Sequence, residues 1–147
     1  MTNIKYEVVH LTEENINLLE RIRYDAYNMN PNDFPVENTY HTRELKNGKY
    51  LVFGCYLNNQ LVGACYTSKT YNSLYIEQLF ILKKYQKSDL HLGSNLLKFV
   101  LNNKNLVENY FNTQFFFSYL DNYQNTTDFY KSLGYRETND SQMRKRL

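Results

Sequence analysis

The chain has no tryptophan, two cysteines, two prolines and five glycines in 147 residues. Cys55 and Cys65 are too few for a disulfide framework. With no apolar leader core in the N-terminal MTNIKYEVVH, they read as reduced core thiols in a cytoplasmic protein. His10, His41 and His91 are scattered without ligand spacing, so no metal site is expected. Apolar residues nowhere run for the ~18 positions of a membrane span. The formal charge of +2 and pI near 8.4 are too mild to indicate nucleic acid, and the basic end Arg144-Lys145-Arg146 reads as solvated charge. Both prolines fall in NPNDFP, residues 30–35, and no repeat or linker interrupts the chain, so a single domain over residues 1–147 is expected. A domain of this length buries roughly 68–70% of its unfolded surface and can build its own core.

Tyrosine and phenylalanine are abundant, at 15 and 9. They accompany many Asn, Lys and Ile residues, as A/T-rich codons produce, and are not read as a base-stacking platform. IKYEVVHL (4–11) has strand character. Thr12 is a plausible N-cap, with Glu13 and Glu14 in the favourable first turn of a helix whose apolar stripe includes Ile16, Leu19, Ile22 and Ala26. NPNDFP ends that helix, and the polar segment 36–49 reads as partly helical. YLVFGCYL (50–57) and LVGACYTSKT (61–70) flank a hairpin turn at Asn58-Asn59-Gln60. LYIEQLFIL (74–82) is apolar on both faces and reads as a central strand. A helix from Leu92 to about Asn102–Asn105 follows, then a strand TQFFFSYL (113–120). A second helix lies within 121–135, with Gly134 as its C′ glycine, and the tail supplies one or two edge strands. The order describes a mixed α/β (α+β) layer fold with an antiparallel meander followed by a βαβ crossover.

The segment YQKSDLHLGSNLLKFVL (85–101) is a loop that opens a helix. Helix-start N–H groups lack intrahelical partners and the dipole favours an anion there, so this is a phosphate site by geometry, although many βα turns look similar. Lys83, Lys84 and Lys87 add positive charge nearby.

Two segments carry a family likeness: LFILKKYQ followed by HLGSNLLKFVL, and FYKSLGY (129–135). With them, and with the order of elements over essentially the whole chain, the protein resembles the GNAT superfamily of acetyl-CoA-dependent N-acyltransferases. The resemblance implies the GNAT fold, a mixed and mostly antiparallel central sheet flanked by helices, with acetyl-CoA as co-substrate. It implies pantetheine pairing along the backbone of Leu79, Phe80 and Ile81, and pyrophosphate capture by Gln86, Lys87, His91, Leu92, Gly93 and Ser94. Asn122 or Asn125 would stand in for the family's asparagine, where this chain has Tyr123. The chain departs from the family in its longer KSDLHL turn, where His91 occupies the place of the middle glycine; the alternative that follows is a weakened CoA site in a non-catalytic GNAT-fold module.

Acetyl transfer needs a neutral amine and a proton for the departing thiolate. Tyr130 aligns with the family's usual acid; as a plain helical residue it would simply pack with Phe129 and Leu133. Glu77, mid-strand in an apolar run, is the candidate base, or else a carboxylate on a solvated cleft edge or one paired with a Lys or Arg. Tyr27, Phe34, His41 and Tyr119 are the candidate acceptor-binding residues, and His41 is a second candidate base. Their mixture of aromatic and polar groups suits a small polar amine such as an amino acid or polyamine fragment more than a long peptide, and the mild charge argues against a protein or tRNA-linked amine. Edge strands in the tail would allow a homodimer.

Overall fold

The computed structural model describes residues 2–122, 126–138 and 141–147. Strand β1 (Ile4–Val8) leads into α1 (Glu13–Ala26), whose first turn is closed by Thr12 Oγ1 accepting the Asn15 N–H at 3.1 Å. A short 3-10 turn at Val36–Asn38 precedes α2 (Tyr40–Lys46), capped by Thr39. Strands β2 (Leu51–Leu57), β3 (Gln60–Thr70) and β4 (Ser73–Ile81) form the meander. Its two hairpins turn on Asn58-Asn59 and Tyr71-Asn72, with positive φ at Asn58, Asn59 and Tyr71. After α3 (Leu92–Asn102) and α4 (Lys104–Phe111) come β5 (Phe117–Asp121), α5 (Thr127–Ser132), β6 (Arg136–Glu137) and β7 (Gln142–Arg146). Gly134, at φ +96°, ends α5 as the sequence predicts.

The strands form one sheet in the order β1-β2-β3-β4-β5-β7-β6, antiparallel throughout except for β4 beside β5. Apolar side chains cover both faces. Leu92, Leu96, Leu97 and Val100 of α3 pack on Phe53, Cys55, Cys65, Leu74 and Ile76, while Ile16, Leu19 and Ile22 of α1 pack on Val52, Ala64, Tyr66 and Phe80. Both thiols are free and buried, and burial pushes Cys55 up to about 12. No described helix is long and apolar enough to cross a membrane.

Two irregularities in β4 shape its lower half. Tyr66 opposes Gln78 while Thr67 opposes Ile76, so Glu77 is an extra residue in a β-bulge. The bulge inverts the face alternation: Leu74 and Ile76 enter the α3-side core, but beyond it Ile81 does so and Phe80 turns to the α1 side. In addition, β4 pairs with β5 only over Leu74–Ile76 against Ser118–Leu120, and the two strands then part.

Three expectations change. The helix read as ending near Asn102–Asn105 is followed at once by α4, a short helix whose apolar stripe of Leu106, Val107, Tyr110 and Phe111 follows α3 with no proline or glycine to mark the break. The strand read over 113–120 begins at Phe117: Phe115 is fully buried, but its N–H goes to the Glu108 carboxylate at 2.8 Å instead of to a ladder. In the tail, β7 is an interior strand between β5 and β6, and only the two-residue β6 lies at the edge.

Helix α1 is held to the sheet by a carboxylate. Glu20 is fully buried and accepts from Arg23 Nε at 2.9 Å and Nη2 at 3.0 Å, Thr39 Oγ1 at 2.6 Å and Tyr66 OH at 2.9 Å. One side chain thus ties α1, the cap of α2 and central strand β3 together. Removing it strands a buried guanidinium. Glu20→Ala is expected to lower stability by about 3–5 kcal/mol, and Tyr66→Phe by about 1.5–3 kcal/mol, as read from urea unfolding of each variant beside the wild type.

Candidate active site

Where β4 leaves β5, the backbone alternation decides what is offered to a ligand. Leu82 N–H donates to Val62 O at 2.8 Å, so by the period of two Phe80 also turns its peptide groups toward β3, and Leu79 and Ile81 turn theirs away. The structure therefore divides the predicted trio: Leu79 and Ile81 face the gap, and Phe80 contributes a buried ring. Both outward carbonyls are already occupied. Tyr27 OH donates to Leu79 O at 3.2 Å, and Gln86 Nε2 to Ile81 O at 2.8 Å and Ala26 O at 3.3 Å. Tyr27 thus lies on the strand edge instead of among the acceptor-side groups, and the Gln86 amide is a tether between α1 and β4.

The loop after β4 begins with a 3-10 turn, Lys83–Tyr85, pinned to the end of α1 by Lys83 N–H on Asp25 Oδ2 at 2.8 Å and Lys83 Nζ on Asn28 Oδ1 at 2.6 Å. Lys87 and His91 both adopt left-handed backbone, at φ +59° and +51°. His91 therefore takes the conformation that a glycine would supply, which histidine visits more readily than most residues. It is the N-cap of α3 but makes no capping hydrogen bond through its side chain. Leu92 is buried, so its backbone is what faces outward, and Ser94 Oγ donates to His91 O at 3.2 Å. A Cβ on Gly93 would meet Ile81 Cγ1 at 3.7 Å and Phe129 Cζ at 3.9 Å, which is ordinary contact. The protein's own packing does not demand glycine there. The space beside it, at an uncapped helix start, fits the close approach of a phosphate.

Tyr130, on α5, packs beside Phe129 and Tyr135 with ring centroids 5.0 and 6.0 Å away. Burial holds its phenol well above the usual range, reinforced by the Tyr27 phenol and the Cys65 thiol. Those two residues flank Leu79, Tyr27 by its hydrogen bond and Cys65 by cross-strand pairing, so Tyr130 stands beside the gap. Asn122 Oδ1 accepts from Thr127 Oγ1 at 3.1 Å and steadies the start of α5. Asn125 and Tyr123 lie outside the described residues.

On the α1 side of the sheet, Glu77 accepts from Ser68 Oγ at 2.7 Å. Burial raises its carboxyl above the ordinary range; the Ser68 hydrogen bond opposes this, while the Asp121 and Glu44 charges add to it. No cation is paired with Glu77 among the described residues. Nearby, Asp121 accepts hydrogen bonds from Tyr75 OH and, at 3.3 Å, from Gln142 Nε2. His41 Nδ1 lies 3.0 Å from Tyr50 OH. Its pKa is depressed by burial and then by Arg23, against the pull of Glu20, so the ring is a neutral partner of the tyrosines. Tyr119 is half-buried on β5, in register with Tyr75 of β4 and Arg144 of β7. Phe34 is half exposed and is tied down through its carbonyl, which accepts from Tyr24 OH at 2.8 Å; its ring joins none of these groups.

The reading of the sequence missed Glu20, Ser68, Tyr50 and the Tyr75–Asp121–Gln142 cluster. Only Glu20 left a signal, as an acid on the apolar stripe of α1 three residues before Arg23. The others depend on strand register. No group of three or more potential metal ligands occurs among the described residues.

Residues 23–147 match the family model of the acetyltransferase (GNAT) domain. No curated protein sequence matches the chain. Among solved structures, PaiA N-acetyltransferase from Thermoplasma acidophilum in complex with coenzyme A is 16% identical, with a TM-score of 0.69 over 97% of this chain and 99% of that one. A GNAT family acetyltransferase from Elizabethkingia anophelis with acetyl-CoA bound is 14% identical, with a TM-score of 0.64 over 99% of each chain. The ribosomal-protein-S18-alanine N-acetyltransferase from Escherichia coli is 15% identical, with a TM-score of 0.65 over 97% of this chain and 94% of its own.

The left-handed residues of the loop make a direct test. His91→Gly removes the Cβ strain of positive φ and is expected to raise stability by up to about 1 kcal/mol, measured as a higher urea midpoint with an unchanged slope.

Proposed function

Because the chain belongs to the GNAT acetyltransferase family, we propose that it moves the acetyl group of acetyl-CoA directly to the amine of a small polar molecule, such as an amino acid. The observation that carries this reading is the parting of β4 from β5, which leaves the N–H groups of Leu79 and Ile81 facing a gap beside Gly93 and Tyr130. Acetyl-CoA supplies an activated acetyl thioester whose thiol leaves as the amine takes the acetyl group.

The residues divide the work. The outward N–H groups of Leu79 and Ile81 would hold the pantetheine and polarise the thioester carbonyl. The backbone of Leu92, Gly93 and Ser94 would hold the pyrophosphate, with Lys87 and His91 beside it and Gln86 and Asn122 bracing the two loops. Tyr130, kept protonated by its burial, would donate to the departing sulfur. An alkyl amine with a pKa near ~10.4 arrives protonated at neutral pH. Glu77 would receive its proton from about 7 Å along the strand from Leu79, a distance that calls for a bridging water. His41 and Tyr119 would border the acceptor, with Tyr27 closing the strand edge beside it. Reduced, buried Cys55 and Cys65 accord with a cytoplasmic setting.

Calorimetric titration with acetyl-CoA is expected to show binding by the wild type that Gly93→Trp abolishes. A folded wild type that does not bind would sink the enzyme reading and favour a non-catalytic module. Tyr130→Phe is expected to lower kcat roughly 10²-fold with little change in the KM for acetyl-CoA. For Glu77, the base form is the ionised one and its pKa is raised, so activity should be lost on acidification above the ordinary carboxylate range. Ser68→Ala removes the hydrogen bond that holds this pKa down and should move the acid limb to higher pH, while Glu77→Gln should erase the limb. A limb that stays put in both variants assigns the base elsewhere.

A further inference from the structure

The sheet face that carries Glu77 continues onto β5, β7 and β6, and there its character changes. Register sets Tyr75 beside Tyr119, Tyr119 opposite Arg144 and Arg144 opposite Arg136, with Phe117 opposite Arg146 one row away. Cross-strand partners share a face, so these side chains form one surface with Glu77 and Asp121 at its other end. Arg144 lies 5.1 Å from the centre of the Phe117 ring. Arg136 and Arg144 are like charges directly opposite each other, an arrangement that costs stability. Among the described residues neither they nor Arg146 forms an ion pair, and all three are exposed. A groove of about 540 Å³ runs beside them, lined by Phe117, Gly134, Arg136, Arg144, Lys145 and Arg146. The face is therefore polarised, with carboxylates where the amine would react and guanidiniums on aromatic support farther out. Glu77 and Arg144 are two strand spacings apart laterally and two residues apart along the strands, about 12 Å between their backbones, and Arg146 is about 16 Å away.

We propose that the acceptor is an amine that also bears an anionic group, carboxylate or phosphate, seated on Arg144 and Arg146 while its amine reaches Glu77. This rests on the acetyl-transfer reading for the reaction but on the surface itself for the anion. A guanidinium fork matches the planar oxygens of such a group, and a ring beneath it holds the fork in place. A flexible linker of about six atoms spans the interval to Arg144 once the Glu77 and arginine side chains extend toward it, with Arg146 reaching in from the next row.

The test uses three amines of matched length: aminohexanoate, aminohexyl phosphate and hexanediamine. Thiol release from acetyl-CoA is followed for the wild type and for Arg144→Gln and Arg146→Gln, beside calorimetric binding of aminohexyl phosphate to each. The wild type should favour at least one anionic amine over the diamine by about ten- to a hundredfold in kcat/KM. The preference should collapse in Arg144→Gln through a higher KM with kcat retained. Preference for either anion supports the proposal and names the anion. Equal use of the diamine, or a preference unmoved in both variants, overturns it. Should no amine be acetylated, binding separates the two readings. Aminohexyl phosphate held by the wild type and lost in Arg144→Gln would end the transfer reading and keep the anion seat, and no binding by the wild type would end the seat. Both arginines are exposed, and Arg144→Gln also relieves the repulsion with Arg136, so each variant is expected to fold.

Discussion

A strand inside a sheet normally satisfies its peptide groups on both edges, and this protein depends on one strand that does not. Over its second half, β4 pairs with β3 alone. Unpaired backbone groups near a core are costly, so something must take them. Two side chains take the carbonyls: the Tyr27 phenol on Leu79 and the Gln86 amide on Ile81. Each cap offers a donor to an oxygen and leaves the N–H group of the same residue facing the gap. Both also lie at the junction of α1 with the loop after β4. The end of α1, the strand edge and the start of α3 are consequently one mechanical unit.

The bulge at Glu77 makes that arrangement compatible with a packed core. Without the extra residue, β4 would present the same parity to the α3 side along its whole length, and either Ile76 or Ile81 would face the wrong layer. With it, a carboxylate is turned toward the α1 side, where Ser68 holds it, and apolar packing resumes two residues later. The buried Glu20 cluster sets the other wall of this cleft. It fixes α1 against Tyr66 of β3, and the stack of Tyr66 with Tyr50, whose ring centroids are 5.5 Å apart, carries that rigidity out to His41.

Local chemistry made much of the architecture legible in the chain itself. The Thr12 cap, the NPNDFP break, the Asn58-Asn59 turn and the Gly134 terminus each act over a few residues, and each is where the sequence places it. The loop before α3 and FYKSLGY were recognisable as motifs. What escaped was non-local. Helix α4 is the exception: its stripe of Leu106, Val107, Tyr110 and Phe111 has helical period, but it spans eight residues and no proline or glycine marks where α3 stops. The place of β7 between β5 and β6 is a matter of pairing, which strand-like composition does not encode. The partners of Glu77, and the alignment of Tyr119 with Arg144, follow from register, and a single bulge changes register for every residue beyond it.

The two left-handed residues of the loop have a consequence for specificity of a different kind. A glycine-rich turn is supple and can adjust to phosphates held at different depths. Lys87 and His91 reach the same backbone region with side chains attached, and a Cβ narrows the range of neighbouring conformations. The loop is therefore a stiff mould. A stiff mould loses little entropy when its ligand arrives, and it tolerates poorly a ligand of another shape. In this protein, selectivity among phosphorylated carriers would be written into backbone stiffness as much as into any contact.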